Sequence, residues 1–296
     1  MSADTGDHSP PQRHQFRCLD PLRVRWAEVD LQKIVFNGHY LMYFDTAVAA
    51  YWRQMAMPYH EAMHLLEGDL YVRKATLEYE ASARYDDQLH IGIRLLRLGR
   101  SSMSLQACAF KGQRRLVQGE IVYVFADPKT QTSRPIPEVL RQWMQSFESG
   151  EPMVAVQRSE WSVVRSDAAA IRHSVFVEEQ GVPAEIEQDA LDASARHVVA
   201  RNRLGQAIGT GRLVRQDASL GKIGRMAVLP TVRGASVGTQ LLAALQEEAM
   251  AMGLREVVLH AQSPVLGFYE QMGFKVCSDP FDEAGIEHRQ MRRRLD

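Results

Sequence analysis

The sequence predicts an α+β chain of two domains: a strand meander wrapped around one helix, then an α/β domain with a different element order. Two patterns carry this. Between Leu22 and Asp127 one apolar helical stretch precedes runs of alternating apolar side chains; beyond residue 160 the order becomes strand, glycine-bearing turn, helix, strand. Length agrees, since 296 residues suffice for two domains that each bury a core.

In the first domain a short strand near Leu22 leads into RWAEVDLQKIVFNGHYLMYFD, residues 25–45. Asn37 is a favoured N-cap, so the helix is expected to open there. Tyr40, Phe44, Ala47 and Tyr51 make one stripe at helical spacing, and Leu41, Val48, Trp52 and Met55 a second, which predicts a helix apolar over most of its circumference. Strands follow at VRKATLEYEASA, with Leu77, Tyr79 and Ala81 on one face, and at QLHIGIRLL, with Leu89, Ile91, Ile93 and Leu95. SMSLQACAF and GEIVYVFAD are joined by the polar hairpin KGQRR.

QSFESGEPMVAVQRSE, residues 145–160, carries Gly, Pro and charges and predicts a linker. The expected bounds are 17–147 for the first domain, 148–158 for the linker and 159–296 for the second domain. In that domain DAAAIRHSVFVEEQ reads as a helix, and HVVARNRLGQAIGTGRLV as a hairpin turning at Gly205. KIGRMAVL and REVVLHA read as strands flanking a helix, SVGTQLLAALQEEAMAMG, that Gly253 closes. VLGFYEQMGF is a short helix and HRQMRRRL a last strand.

Formal net charge is −1, from 35 basic and 36 acidic side chains, which gives no broad electrostatic footprint for nucleic acid or an anionic membrane. Cys18, Cys108 and Cys277 show no CxxC spacing, so neither a disulfide framework nor a thiolate metal site is expected, and no metal is expected in either half. The opening MSADTGDHSPPQRHQ is polar and proline-containing, which predicts a disordered tail over residues 1–15. No apolar run approaches membrane-spanning length; with the cysteine pattern this points to a cytoplasmic protein.

Asp30 stands shortly before the helix expected from Asn37. First-turn N–H groups carry partial positive charge, so they could polarise a carbonyl oxygen while the carboxylate attacks its carbon or activates a water. Losing one such donor typically costs about 3–4 kcal/mol of transition-state stabilisation. The plainer reading is that Asp30 ends a strand and is satisfied by a turn.

The run Asp30, LQK, IVFN, GHY resembles the opening of hotdog-fold acyl-CoA thioesterases of the 4-hydroxybenzoyl-CoA thioesterase type, as do YDDQL, LGRSS and RPIPEVL further on; the likeness spans residues 17–147. It implies that Asp30 is the general base or nucleophile and that N–H groups around Asn37 polarise a thioester carbonyl. It also implies that Arg100, Ser101 and Ser102 lie near the phosphate or pantetheine end of coenzyme A. The family builds its site at a subunit interface, so a homodimer or homotetramer is implied as well. The chain departs from the family at Lys33 and Ile34, where glycine with or without a following histidine is usual, and at Glu28, where Asp is frequent. Lys33 could pair with Asp30, point to solvent or reach a phosphate.

RMAVLPTVRGASVGTQLL, residues 225–242, reads as strand, turn and helix, a cradle for a pyrophosphate at a helix N-terminus, with Arg233 adding charge at the rim. It lacks the Gly-Lys-Ser/Thr ending of a Walker A loop and the glycine spacing of a dinucleotide fingerprint. With the downstream AQSPVLGFYEQMGF it resembles the GNAT superfamily of N-acetyltransferases, whose signature falls here on Arg233, Gly234, Ala235, Ser236, Val237 and Gly238. VFVEEQGVP, DALDASARHVV and EAGIEHRQM resemble more narrowly the small bacterial ElaA-type branch, over residues 160–294.

That resemblance implies acetyl-CoA bound by the amides of Val228 and of residues 234–239, ending at Thr239. Gln262 would replace the usual pantetheine-contacting Asn, and Tyr269 would protonate the departing thiolate. Ser236 stands for the first signature glycine, which is tolerable where positive φ is not needed. Glu178, Glu179, Glu187, Asp189, His197 and His288 are the candidates for taking a proton from the acceptor amine. The expectation is a bifunctional enzyme, acyl-CoA hydrolase and amine acetyltransferase. Its rivals are a transferase whose first half only binds acyl-CoA and oligomerises, and a thioesterase with a CoA-sensing second half.

Overall fold

The computed structural model describes residues 10–295, and the chain divides between Pro152 and Met153 into two compact units. The first unit runs β1 (Cys18–Arg23), α1 (His39–Gln54), α2 (Tyr59–Leu65), β2 (Asp69–Tyr79), β3 (Gln88–Leu98), β4 (Ser102–Lys111), β5 (Arg114–Ala126) and α3 (Glu138–Glu148). Its sheet has the order β1-β3-β4-β5-β2, antiparallel throughout. Alternation sets the inner face: Leu89, Ile91 and Ile93 are all buried beside α1. Phe44 and Tyr51 are fully buried, and each such side chain contributes about 2–3 kcal/mol of burial energy. Gly119 admits the helix, because a Cβ there would come within 3.0 Å of the Phe44 ring. Trp143 of α3 donates its indole N–H to the Met55 carbonyl at 3.0 Å and closes one end of the core.

Three expectations change. The apolar circumference of α1 is only partly buried, since Leu41 and Met42 are 41% and 52% exposed. The strand expected over VRKATLEYEASA ends sooner: β2 is an edge strand that stops at Tyr79, which is exposed, and Ala81 lies beyond its end. Part of the expected tail is ordered, with a helical turn at Arg13–Gln15 and Phe16 buried edge-on against Phe110. Residues 1–9 of that tail lie outside the described residues.

The second unit runs β6 (Ala155–Glu160), α4 (Trp161–Arg172), a π-helical turn (His173–Glu179), α5 (Ala184–Glu187), β7 (Arg196–Arg201), β8 (Ala207–Arg215) and β9 (Leu220–Val228). It continues through α6 (Val237–Ala251), β10 (Glu256–Gln262), α7 (Leu266–Gln271), β11 (Lys275–Val276), β12 (Phe281–Glu283) and β13 (Ile286–Arg294). The sheet order is β11-β13-β10-β9-β8-β7-β6, with β12 on β13. β6 occupies residues expected to form the linker and pairs with β7 along its whole length. Helices cover both faces. Val164 and Ala168 of α4 pack on Val199, while α6 lies over Gly209 and Gly211, where a Cβ would approach Leu241 and Leu245 within 2.9 and 2.8 Å.

Within this sheet only β9 and β10 run parallel, and their pairing ends early. The ladder extends from Glu256–Leu220 to Leu259–Ile223, although β9 continues to Val228 and β10 to Gln262. A bulge in β9, where its register against β8 shifts and Arg225 takes φ +52°, keeps the strand on β8 while it turns away from β10. The two strands therefore part into a slot at their C-terminal ends. Among the described residues no helix is long and apolar enough to cross a membrane.

Candidate functional site

The slot ends against the N-terminus of α6. Gly234 (φ +90°) and Ser236 (φ +58°) turn the chain into the helix, no side chain caps it, and no acidic residue occupies its first turn. The Ala235 and Gln240 amides are bonded to the Val232 and Ser236 carbonyls. Val237, Gly238 and Thr239 open the helix at its positive end, an arrangement suited to a phosphate. Gly238 lies over Phe268, 3.5 Å from where its Cβ would sit. Ser236 departs from expectation, for it does take the left-handed conformation that favours glycine.

Arg233 also differs from its expected role as a free charge at the rim. Its two terminal nitrogens donate to Glu179 at 2.7 and 2.6 Å, and its Nε donates to the Val228 carbonyl at 3.1 Å. These bonds hold the Glu179 carboxyl below its ordinary range and raise the guanidinium. Next along the chain, Gln180 accepts from the Gln262 amide at 3.0 Å. The end of the π-helical turn thus bridges both parted strands, a link between distant residues that no local pattern announced.

Tyr269 sits on α7, 8% exposed, edge-on to Phe268 and Phe274. Burial pushes its phenol up to about 12, so it stays protonated. Of the six candidate bases, five are engaged elsewhere or exposed. Glu179 holds Arg233. Glu187 and Asp189 join a network with Arg172, Arg212 and Arg225. His197 is 1% exposed, bonded to the Asp192 carbonyl, and its pKa is lowered by burial. Glu178 is exposed beside His173. His288 remains, opposite Gln262 in the β10–β13 ladder.

In the first unit Asp30 is half-buried in a tight turn of its own making. Its Oδ1 accepts from the Gln32 amide at 2.8 Å and the Ile34 amide at 3.5 Å, and its own N–H bonds the Ile34 carbonyl. Lys33 occupies a left-handed position (φ +61°), which accounts for the family's glycine there, and forms no ion pair with Asp30 among the described residues. Asn37 is not the N-cap: α1 begins at His39 after Gly38, and Asn37 is exposed, its carbonyl accepting from the Tyr79 hydroxyl at 3.1 Å. Glu28, which the sequence marks only as a departure from the family's Asp, proves to be buried and fully bonded. It is 3% exposed and accepts from the Tyr43 hydroxyl at 2.7 Å and the Arg25 amide at 2.7 Å. Burial works against its charge, but those bonds and the Arg25 guanidinium hold the carboxyl below its usual range.

Arg100, Ser101 and Ser102 are not brought to Asp30 within one subunit. The Asp30 loop joins the sheet where β3 begins, through Val24 to Asp87 and Val35 to Ala83. The 99–102 hairpin lies at the other end of β3, 11 residues away, or roughly 35 Å at strand rise.

Residues 162–295 match the family profile described as Acetyltransferase (GNAT) domain, and residues 24–144 that of the Thioesterase-like superfamily. The Uncharacterized N-acetyltransferase YjcF of Bacillus subtilis (strain 168) is 38% identical over 128 residues, 43% of this chain and 90% of the relative. Protein ElaA of Escherichia coli (strain K12) is 31% identical over 129 residues, 42% of this chain and 84% of the relative. A solved thioesterase-superfamily structure from Jannaschia sp. CCS1 is 19% identical, covering 46% of this chain and 95% of its own, with TM-score 0.43. Through its second unit the chain belongs to the GNAT acetyltransferase family, and its first unit is a thioesterase-like domain of hotdog fold.

Proposed function

We propose that the chain is a two-domain CoA-thioester enzyme, transferring acetyl from acetyl-CoA to an amine in the second unit and hydrolysing an acyl-CoA in the first. The observation that carries the transferase half is the uncapped start of α6 at the mouth of the slot between β9 and β10. In this reading the amides of Val228, Gly234, Ser236, Val237, Gly238 and Thr239 hold acetyl-CoA, the Ala235 amide being spent on the Val232 carbonyl, while Arg233 braces the loop and Gln262 meets the pantetheine. Tyr269, kept protonated by burial, gives its proton to the departing thiolate. The acetyl carbon passes directly to the amine nitrogen.

For the hydrolase half, Asp30 is the base or nucleophile and backbone N–H groups around Asn37 polarise the thioester carbonyl. A homodimer or homotetramer formed through the first unit belongs to this reading. Edge strand β2 exposes Val72 and Tyr79, and its two ends adjoin different parts of the site: Tyr71 pairs with Val124 beside Ser102, while Tyr79 reaches Asn37. Antiparallel pairing of two β2 strands would set the Arg100–Ser102 hairpin of one subunit near the Asp30 loop of the other.

One observation favours a second reading, in which the hotdog half only binds acyl-CoA and oligomerises: Oδ1 of Asp30 already caps its own turn. Acyl-CoA esters of graded chain length, incubated with the full chain with and without primary amines, separate the two. Amine-independent CoA release that Asp30→Asn abolishes supports hydrolysis; equal rates in both proteins remove it. Absence of amine-dependent release from acetyl-CoA with every amine removes the transferase half.

A further inference from the structure

The transferase reading leaves open which group takes the proton from the attacking nitrogen, and the second unit holds one histidine arranged for that task. His288 stands on β13 directly opposite Gln262, the last residue of β10, so the two side chains share a face at the end of the slot. That face is not the one covered by α6. Arg293, which alternates with His288 along β13, reaches Gln246 of α6 at 3.0 Å, and Met291 between them is fully buried. His288 therefore lies across the sheet from the helix start that would hold the phosphates. An amine entering from that side meets the thioester without crossing the rest of the coenzyme.

The ring is fixed in both orientation and tautomer. Its Nδ1 lies 2.8 Å from the Ile286 carbonyl, and a carbonyl only accepts, so Nδ1 carries the hydrogen and Nε2 the lone pair. Phe281 of β12 stacks on the ring, with centroids 6.1 Å apart and planes inclined by 24°. The residue is 9% exposed, held between Phe281 and the sheet. The neighbouring ionisable groups are His260 on β10, Lys222 on β9 and Glu283 on β12. They are engaged with one another: His260 Nδ1 lies 2.6 Å from Glu283 and 3.4 Å from the Lys222 ammonium.

We propose that His288 is the general base of amine acetylation, an inference that rests on the transferase reading above. The acceptor arrives as a free amine, its ammonium proton already lost to water. Its nitrogen forms the C–N bond at the acetyl carbonyl, and an N–H proton passes to Nε2 of His288. The C–S bond breaks, its electron pair leaves on sulfur, and sulfur takes the Tyr269 proton. Imidazolium and phenolate then return to their resting states through water, so amine and acetyl-CoA become amide and CoA.

The test uses the full chain, acetyl-CoA and three primary amines: a diamine, an amino sugar and a lysine-containing peptide. His288→Asn keeps a donor for the Ile286 carbonyl and removes Nε2. It is expected to lower kcat with the best amine about 100-fold or more, to leave the KM for acetyl-CoA within about twofold, and to abolish the acidic limb of the pH–rate profile. His288→Ala is expected to regain rate when imidazole is added, in proportion to its free-base form, which a purely structural role would not produce. Wild-type kcat and an unchanged acidic limb in His288→Asn overturn the proposal, as does a loss confined to His260→Asn. If wild type releases no CoA with any of the three amines, the transferase reading falls and this inference with it; amine-dependent release by wild type that survives in His288→Asn sinks the inference alone.

Discussion

Asp192 accepts from both terminal nitrogens of the Arg172 guanidinium, at 2.9 and 3.1 Å, with the two residues only 2% and 0% exposed. Arg212 adds a third bond to the same carboxylate at 2.8 Å. Burial by itself would raise the Asp192 carboxyl, but the hydrogen bonds and charges of Arg172 and Arg212 hold it at about 2. Its folded value is thus depressed below the unfolded value of about 3.9. The stabilisation is complete above that range and is lost as pH falls through about 2, an effect of about 2–3 kcal/mol. Asp192→Asn strands buried guanidinium charge and is expected to cost about 3–5 kcal/mol in urea unfolding at pH 7. A cost under about 1 kcal/mol would show that the pair is not needed.

The Glu179–Arg233 pair leads to a second expectation. Glu179 neutralises the cation nearest the start of α6. Glu179→Gln leaves that charge uncompensated, so the KM for acetyl-CoA is expected to fall about two- to fivefold at low ionic strength. The difference should shrink towards zero in 0.5 M salt, roughly, as screening removes it. An increase in KM at low salt would mean that Glu179 acts by positioning the loop instead.

Ser236 and Lys33 each hold a left-handed backbone that a β-carbon disfavours. Replacing either with glycine is expected to raise unfolding free energy by about 0.5–1 kcal/mol, after allowing for the greater entropy of glycine in the unfolded chain. Differential scanning calorimetry of Ser236→Gly and Lys33→Gly checks this; a lower melting temperature in both would contradict it.

Asp30 can be divided into its two roles. Asparagine keeps the oxygen that accepts the Gln32 amide, so Asp30→Asn is expected to unfold within about 0.5 kcal/mol of wild type, while Asp30→Ala loses about 1 kcal/mol. Loss of hydrolysis in the asparagine variant would then report chemistry. If stability falls equally in both variants, the turn needs the carboxylate charge itself.

Much of this architecture was legible from periodicity. Leu89, Ile91 and Ile93 alternate because one face of β3 meets α1, and Gly205 and Gly253 mark turns that only their backbone freedom permits. The same reasoning left the exposure of Tyr79 undecided, because alternation does not distinguish an edge strand from a central one. It put a linker where β6 runs because charged residues such as Arg158 suit an outer strand as well as a loop. Asn37 looked like the N-cap, yet the helix starts two residues later with Gly38 in that role. The pairings of Arg233 with Glu179 and of Arg172 with Asp192 join residues 54 and 20 positions apart. They depend on tertiary proximity, which side-chain type alone does not reveal.

The parting of β9 and β10 has one more consequence. Beyond Ile223 and Leu259 neither strand has the other as a ladder partner, so main-chain groups facing the gap offer peptide-type donors and acceptors to whatever enters. An extended guest with secondary amides at strand-like intervals can knit itself in as a temporary strand. Discrimination of that kind is written in the polypeptide backbone rather than in side chains, and a serine at 236 leaves it standing.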